Sequence, residues 1–179
     1  LKKFKNINFV NSRFILEQNN SDFNPKYWYA AKIPFSQKVF EVASTKIKNI
    51  TDSLQGKNIK LIIIDLDNTI WGGTIGDQGW QNLILGGHSI NGEAFQDFQK
   101  KLKALNRLGI QLAISSKNDE KVAINGITKN KNMILKKSDF ATWRINWRDK
   151  AENISEIIKE LNLKNDSVLF IDDNINERE

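Results

Sequence analysis
The sequence predicts an α/β fold, a three-layer α/β/α arrangement around a parallel sheet, without a large cap domain and preceded by a small N-terminal element. Three observations carry this prediction. Short β-branched runs (Leu61-Ile62-Ile63-Ile64, Ile110 to Ile114 and Val168 to Ile171) alternate with segments of helical period between Lys60 and Asp173. Each run stops at polar residues: Asp65, Ser115, and the pair Asp172-Asp173. Only about 25 residues separate Thr69 from a helix expected at Ala94, which is room for a hairpin flap and not for a folded cap.

In chain order, Lys5 to Val10 reads as a strand. Asn24-Pro25 and Ile33-Pro34 punctuate the aromatic stretch Tyr27-Trp28-Tyr29, which reads as loop packed on a surface. Ser36 to Leu54 reads as an amphipathic helix through Val39, Phe40, Val42, Ile47 and Leu54. Residues 1–55 are therefore expected to form a separate N-terminal element and residues 56–179 the core. After the first strand, Gly72, Gly73, Gly76 and Gly79 lack the Gly-Lys-Ser/Thr ending of a nucleotide-binding loop, so a tight hairpin is expected, and His88 should lie in a solvent loop. Ala94, Phe95, Phe98, Leu102 and Leu105 recur at helical spacing and stop at Gly109. A further helix covers Glu120 to Ile127, Met133 to Leu135 is a candidate short strand, and Ile154, Ile157, Ile158 and Leu161 mark a helix opening near Asp149.

The 179 residues are 40% hydrophobic and 27% charged, the balance of a globular chain. No apolar run approaches the ~18 residues of a membrane span, and the lysines of Leu1 to Val10 do not suit a signal peptide, so a cytoplasmic protein without a membrane partner is expected. The absence of Cys excludes disulfides, thiolate metal sites and a cysteine nucleophile. A net charge of +6 suits an acidic partner such as a phosphorylated metabolite or an acidic carrier protein. Nucleic acid is not expected, because the lysines are scattered and no binding motif interleaves them with aromatics. The chain begins at Leu1 and stops just after Asp172-Asp173, which reads as a fragment of a longer polypeptide.

The carboxyl ends of strands in an open parallel sheet line a ligand crevice. Asp65, Asp172, Asp173 and Ser115 are thus expected to converge. Clustered carboxylates repel one another, and a hard cation that takes oxygen ligands, Mg2+, relieves the repulsion. The loop from Asp65 to Gly76 does not suit Ca2+, since Ile70 stands where the glycine turn belongs and Gly76 where the bidentate Glu belongs.

Asp65-Leu66-Asp67-Asn68-Thr69 after an apolar strand, Ser115 closing the next, Lys150 opening a helix and Asp172-Asp173 after the last strand resemble, in order, the four motifs of the haloacid dehalogenase (HAD) superfamily, whose core is Rossmann-like. More narrowly, Asp65 to Gly76, Ser116-Lys117-Asn118-Asp119-Glu120, Asp139-Phe140 with Arg144 to Trp147, Asp149-Lys150-Ala151 and Asp172-Asp173-Asn174 are similar to the FkbH-like family. That resemblance is close over about residues 57–179 and looser over Tyr27 to Leu54, which would be the tail of an SGNH-hydrolase-like region.

The resemblance implies a magnesium-dependent phosphatase or phosphotransferase that works through an aspartyl-phosphate, in polysaccharide or polyketide-type biosynthesis. Its substrate would be a phosphorylated small molecule or a carrier-bound group, with an acyl carrier protein as a possible partner. Glyceryl loading from a bisphosphorylated glycerate, where it uses an enzyme thioester, needs a Cys that this chain lacks. A non-catalytic module that binds a phospho-ligand or carrier is the remaining alternative.

Carried over by motif, Asp65 would be the nucleophile and Asp67 the acid and base. Asp65, the Asp67 backbone carbonyl and Asp173 would face Mg2+, with Asp172 a ligand or the partner of Lys150. Ser115 and Lys150 would hold phosphoryl oxygens, with Ser116 as the fallback for Ser115. Asn68, Thr69, Ser116, Lys117 and Arg144 are candidate substrate contacts. Lys117 and Asn118 suit a cap on the following helix better than a substrate contact, and Arg144 and Arg148 are even candidates for a second anion. Trp71, Trp143 and Trp147 read as packing residues, with Trp71 close enough to Asp67 to wall the site.

Overall fold
The computed structural model describes residues 25–32, 35–54, 58–87 and 89–177. The expected strand at Lys5 to Val10 and the His88 loop lie outside the described residues. The chain divides into two units, Leu1–Asn58 and Ile59–Glu179.

In the first unit, α1 spans Pro25–Ala31 and α2 spans Gln37–Leu54. The aromatic stretch is helix and not loop. Pro25 occupies the first helical position, where its fixed φ is pre-organised and its missing N–H costs nothing. Lys32 ends the helix in the left-handed region (φ 57°), donates its N–H to Trp28 O at 2.9 Å and holds its ammonium 5.4 Å from the Trp28 ring centre. On α2, Val39 is buried, whereas Phe40 and Ile47 are exposed.

The second unit contains four parallel strands in the order β3-β2-β1-β4: β1 Leu61–Ile64, β2 Gln111–Ser116, β3 Phe140–Ile145 and β4 Val168–Ile171. Ile64 pairs with Ile114 on one side and Ile171 on the other, so the carboxyl ends of the three apolar strands lie level. Alternate side chains serve opposite faces. Ile62, Ile64, Leu112 and Ile114 meet Leu102 of α4 (Ile90–Arg107) and Ala123 and Ile127 of α5 (Glu120–Lys129). Leu61, Ile63 and Ala113 meet Ile157 of α6 (Lys150–Glu160). This is the three-layer parallel architecture expected, and burying each such Ile or Leu contributes about 1.5–3 kcal/mol. No described helix is long and apolar enough to cross a membrane.

Three element assignments are corrected. Met133 to Leu135 is not a strand, because Gln99 of α4 takes its hydrogen bonds: Gln99 Oε1 accepts from Ile134 N at 2.9 Å and Leu135 N at 3.1 Å, while its Nε2 donates to Ile70 O at 2.7 Å. The strand lies further on, at Phe140–Ile145, where Thr142 and Arg144 break the apolar run of an edge strand. Helix α4 starts at Ile90, four residues before Ala94, where Ser89 Oγ accepts from Gly92 N at 3.0 Å. The glycine-rich segment is not a simple hairpin. A single antiparallel bridge, Gly72 to Ile84, closes a loop that holds a one-turn helix, α3 (Ile75–Gln78), and a 3-10 turn at Trp80–Asn82.

Candidate active site
Asp65 follows β1 directly, and its N–H donates to Ile171 O at 2.9 Å, which continues the ladder with β4 by one residue. Asp172 follows β4, Ser116 ends β2, and Lys150 is the first residue of α6. Asp149 caps that helix, accepting from Ala151 N at 2.7 Å. Asn146 and Asn153 exchange amide hydrogen bonds (3.2 and 2.9 Å), and Asn146 N donates to Ser116 O, so the start of α6 is tied to the ends of β2 and β3.

These elements bring Lys150 between two buried carboxylates. Its ammonium forms a close ion pair with Asp172 Oδ2 and stands 3.1 Å from Asp65 Oδ1. Burial raises the Asp65 carboxyl above the ordinary range, against the opposing pull of Lys150 and of a hydrogen bond from Ser116; Asp172 adds to the rise. Burial alone would lower the Lys150 ammonium, but its hydrogen bond to Asp172 and the charge of Asp65 more than offset this and hold it above its usual value.

Asp65, Asp172 and Asp173 each offer a carboxylate oxygen within 4.8 Å of the others, the first two buried and the third exposed. One ammonium against three carboxylates leaves negative charge over. Asp65 Oδ1 is buried and accepts no hydrogen bond despite its distance to Lys150. An all-oxygen, anionic donor set with an unspent buried acceptor fits a hard divalent cation such as Mg2+.

Asp67 is half-buried and held from three directions. Oδ1 accepts from Trp71 Nε1 at 2.8 Å and from Ile75 N at 3.1 Å; Oδ2 accepts from Asn118 Nδ2 at 3.0 Å. Asn68 adopts φ 53°, a conformation Asn tolerates, and its Oδ1 accepts from Gly73 N at 2.8 Å, closing the turn. Thr69 is buried with its hydroxyl unpartnered. Asn68, Thr69, Asp172 and Asp173 line a cleft of about 600 Å³ whose lining also includes the apolar Ile84, Phe95 and Phe98.

Several sequence-based assignments change. Of the two serines, Ser116 is the one drawn into the site's hydrogen bonds, its Oγ accepting from Asn118 Nδ2 at 3.2 Å; the Ser115 hydroxyl is buried and unpartnered on the alternate face of β2. The fallback is thus the better positioned. Asn118 is no helix cap. Asp119 fills that role, accepting from Val122 N at 3.1 Å, and Asn118 turns inward to Asp67 and Ser116 Oγ. Lys117 pairs with Glu177 at 2.7 Å. Arg144 points its guanidinium at Glu156 (3.0 Å) and Glu160 (2.7 Å) of α6, and Arg148 bonds Glu152 and Glu156, so these arginines face carboxylates rather than an anion subsite. Trp147 is 75% exposed and packs little, whereas Trp71 is fully buried and hydrogen-bonds Asp67. Trp71, expected to wall the site, and Asn118, expected to cap a helix, are the residues whose hydrogen bonds to Asp67 sequence reasoning missed. The available signals were the four-residue step from Asp67 to the Trp71 indole and the two-residue step from Ser116 to Asn118.

The protein-family model described as haloacid dehalogenase-like hydrolase matches residues 86–179. Among solved structures, the N-terminal part of the protein BF1531 from Bacteroides fragilis, containing a phosphatase domain complexed with Mg, is 39% identical with a TM-score of 0.82. The match covers 92% of this chain and 44% of that one, so this chain spans less than half of its relative's length. A proposed 3-deoxy-D-manno-octulosonate 8-phosphate phosphatase from Vibrio cholerae is a weaker match, at 21% identity and a TM-score of 0.44 over 66% of this chain and 58% of that one. No curated protein matches.

Proposed function
Because this chain belongs to the haloacid dehalogenase-like hydrolases, we propose that it is the core of a magnesium-dependent phosphatase or phosphotransferase that uses Asp65 as its nucleophile. The observation that carries this reading is the buried Asp65 carboxylate with one oxygen unspent, beside Lys150 and within reach of Asp172 and Asp173. Asp65, Asp172 or Asp173, and the backbone carbonyl of Asp67 would hold Mg2+. When bound, the ion would supply positive charge against the phosphoryl oxygens.

An Asp65 oxygen attacks phosphorus in line, forming an acyl phosphate as the bond to the leaving oxygen breaks. Asp67, protonated at that moment, gives its proton to the leaving oxygen. It then takes a proton from the water that attacks phosphorus and releases Asp65 and inorganic phosphate, or from an acceptor hydroxyl in a phosphotransferase. Lys150 balances the charge of Asp65 before attack and of the phosphoryl oxygens after it. Ser116, at the carboxyl end of β2, would hold a phosphoryl oxygen.

The finer reading is an FkbH-like enzyme of biosynthesis that acts on a phosphorylated small molecule or carrier-bound group. Its support is the motif pattern and the small flap: between β1 and α4 the described residues hold only a single helical turn and a 3-10 turn, so a bulky substrate can approach. Glyceryl loading by this segment is disfavoured by the lack of Cys.

The test is Asp65→Asn in the full-length protein, with a phosphorylated-metabolite screen in Mg2+. Turnover should vanish while the fold persists. Given an activated aryl phosphate whose leaving group needs little protonation, Asp67→Asn should accumulate a phosphoryl adduct on the peptide that contains Asp65, because hydrolysis loses its base. Wild-type turnover by Asp65→Asn would refute the nucleophile assignment, and absence of any turnover in the wild type would favour the binding module.

A further inference from the structure
We infer that Asn118, with Trp71, is a positioning residue that leaves Asp67 a single site for the proton it moves. The inference rests on the acid and base role proposed for Asp67.

The argument is a count of lone pairs. A carboxylate offers about four acceptor sites, two on each oxygen. On Asp67, Oδ1 takes two donors, the Trp71 indole at 2.8 Å and the Ile75 amide at 3.1 Å. Oδ2 takes one, the Asn118 amide at 3.0 Å. One site remains, on Oδ2. A leaving-group oxygen or an attacking water can therefore exchange a proton with Asp67 only there.

Asn118 also ties Asp67 to the end of the neighbouring strand. It is 4% exposed, and its second amide hydrogen goes to Ser116 Oγ at 3.2 Å. Ser116 ends β2, whose neighbour β1 runs directly into Asp65. One side chain thus sets the rotation of the acid and base and ties it to the carboxyl end of β2. Trp71 is locked by packing: a Cβ at Gly126 of α5 would stand 2.5 Å from Ile75 Cδ1 and 3.2 Å from the Trp71 ring, so that glycine leaves room for both side chains.

The experiment compares two aryl phosphates in the full-length protein with Mg2+. For 4-nitrophenyl phosphate the departing phenolate is stable and needs little protonation; for phenyl phosphate it needs more. kcat/KM reports the steps through departure of the phenol. General acid catalysis contributes about 10²–10⁴-fold, so Asn118→Ala should lower kcat/KM for phenyl phosphate at least about tenfold more than for 4-nitrophenyl phosphate. Trp71→Phe, which frees one site on Oδ1, should steepen the leaving-group dependence in the same direction and carries the test if Asn118→Ala does not fold. A merely structural role would lower both substrates by the same factor, and equal losses in the folded variants would overturn the inference while the phosphatase reading stood. A wild type that turned over neither substrate would overturn both.

Discussion

Replacing Lys150 by Met keeps most of the side-chain volume and removes the ammonium that separates Asp65 from Asp172. At an effective dielectric constant of about 20, opposite unit charges at the 3.1 Å seen between Lys150 Nζ and Asp65 Oδ1 attract by about 5 kcal/mol, much of it offset by desolvation. Breaking a buried pair by removing one partner costs about 3–5 kcal/mol, because the other charge stays buried and unpaired. Both carboxylates are buried here, so the upper half of that range is expected without metal. With a urea slope of about 2 kcal/mol per molar, the unfolding midpoint should fall by roughly 2–2.5 M. Tryptophan fluorescence follows the transition, since Trp71 is fully buried.

The pH dependence of this loss has a definite sign. Burial already raises the Asp65 carboxyl above its ordinary value of 3.8, and loss of Lys150 raises it further. The folded state then binds a proton more readily than the unfolded one, so this group's contribution is present at low pH and is lost as pH rises through the raised value. The defect should shrink as pH is lowered through that raised value, and saturating Mg2+ at pH 8 should recover part of it. A metal-free Lys150→Met protein with the wild-type midpoint at pH 8 would refute the account of Lys150 as the internal counter-ion. Turnover should fall in parallel by about 2–4 kcal/mol of transition-state stabilisation.

Magnesium should raise the urea midpoint and excess chelator should reverse the gain; at about a hundred times its dissociation constant a ligand of the folded state adds about 2.7 kcal/mol. Asp173→Asn should reduce that gain without altering the metal-free midpoint. Gly92→Ala should cost about 2–3 kcal/mol of stability by urea unfolding, because its Cβ would meet Gly86 O at 2.2 Å and Gly86 N at 2.7 Å, backbone atoms with nowhere to go. Arg144→Ala should leave KM for phosphorylated substrates unchanged, which separates an ion-pair partner from a substrate contact. Hydrogen bonds from the arginines hold Glu156 and Glu160 below their ordinary value of 4.5, so the stability these pairs add is present above that value and is lost as pH falls below it. Arg144→Ala should flatten that acid limb in midpoints measured from pH 6 to pH 3.

What could be read from the sequence was what burial on both faces dictates. β1 lies inside the sheet with every residue buried, so its apolar run is unbroken and the carboxylate that ends it stands out. The same logic located β2 and the helices that cover it, whereas β4, an edge strand with no residue fully buried, was found from its unbroken apolar run Val168 to Ile171. β3 escaped because an edge strand carries Thr142 and Arg144, the latter serving carboxylates on α6. Asn118 escaped for a different reason. Asn-Asp-Glu at a helix start suits a cap equally well from either of its first two residues, and Asp119 took the cap while Asn118 met a carboxylate 51 positions earlier in the chain. Arg144 was misread because its partners lie 12 and 16 residues ahead, across a turn that local patterns do not describe. Pairings over such separations are products of the assembled sheet.

The buried amide of Gln99 has a consequence for how order spreads through the core. It hangs two loops from helix α4, taking the carbonyl of Ile70 on one side and the amides of Ile134 and Leu135 on the other. Ile134 and Leu135 belong to no helix or strand, so no ladder shields their N–H groups. Their rate of exchange with deuterated solvent therefore times the undocking of α4 rather than the melting of the sheet. Ile114 N–H, inside β2, times the sheet itself. Comparing the two clocks tells whether the wall that carries the nucleophile loop opens before the scaffold does.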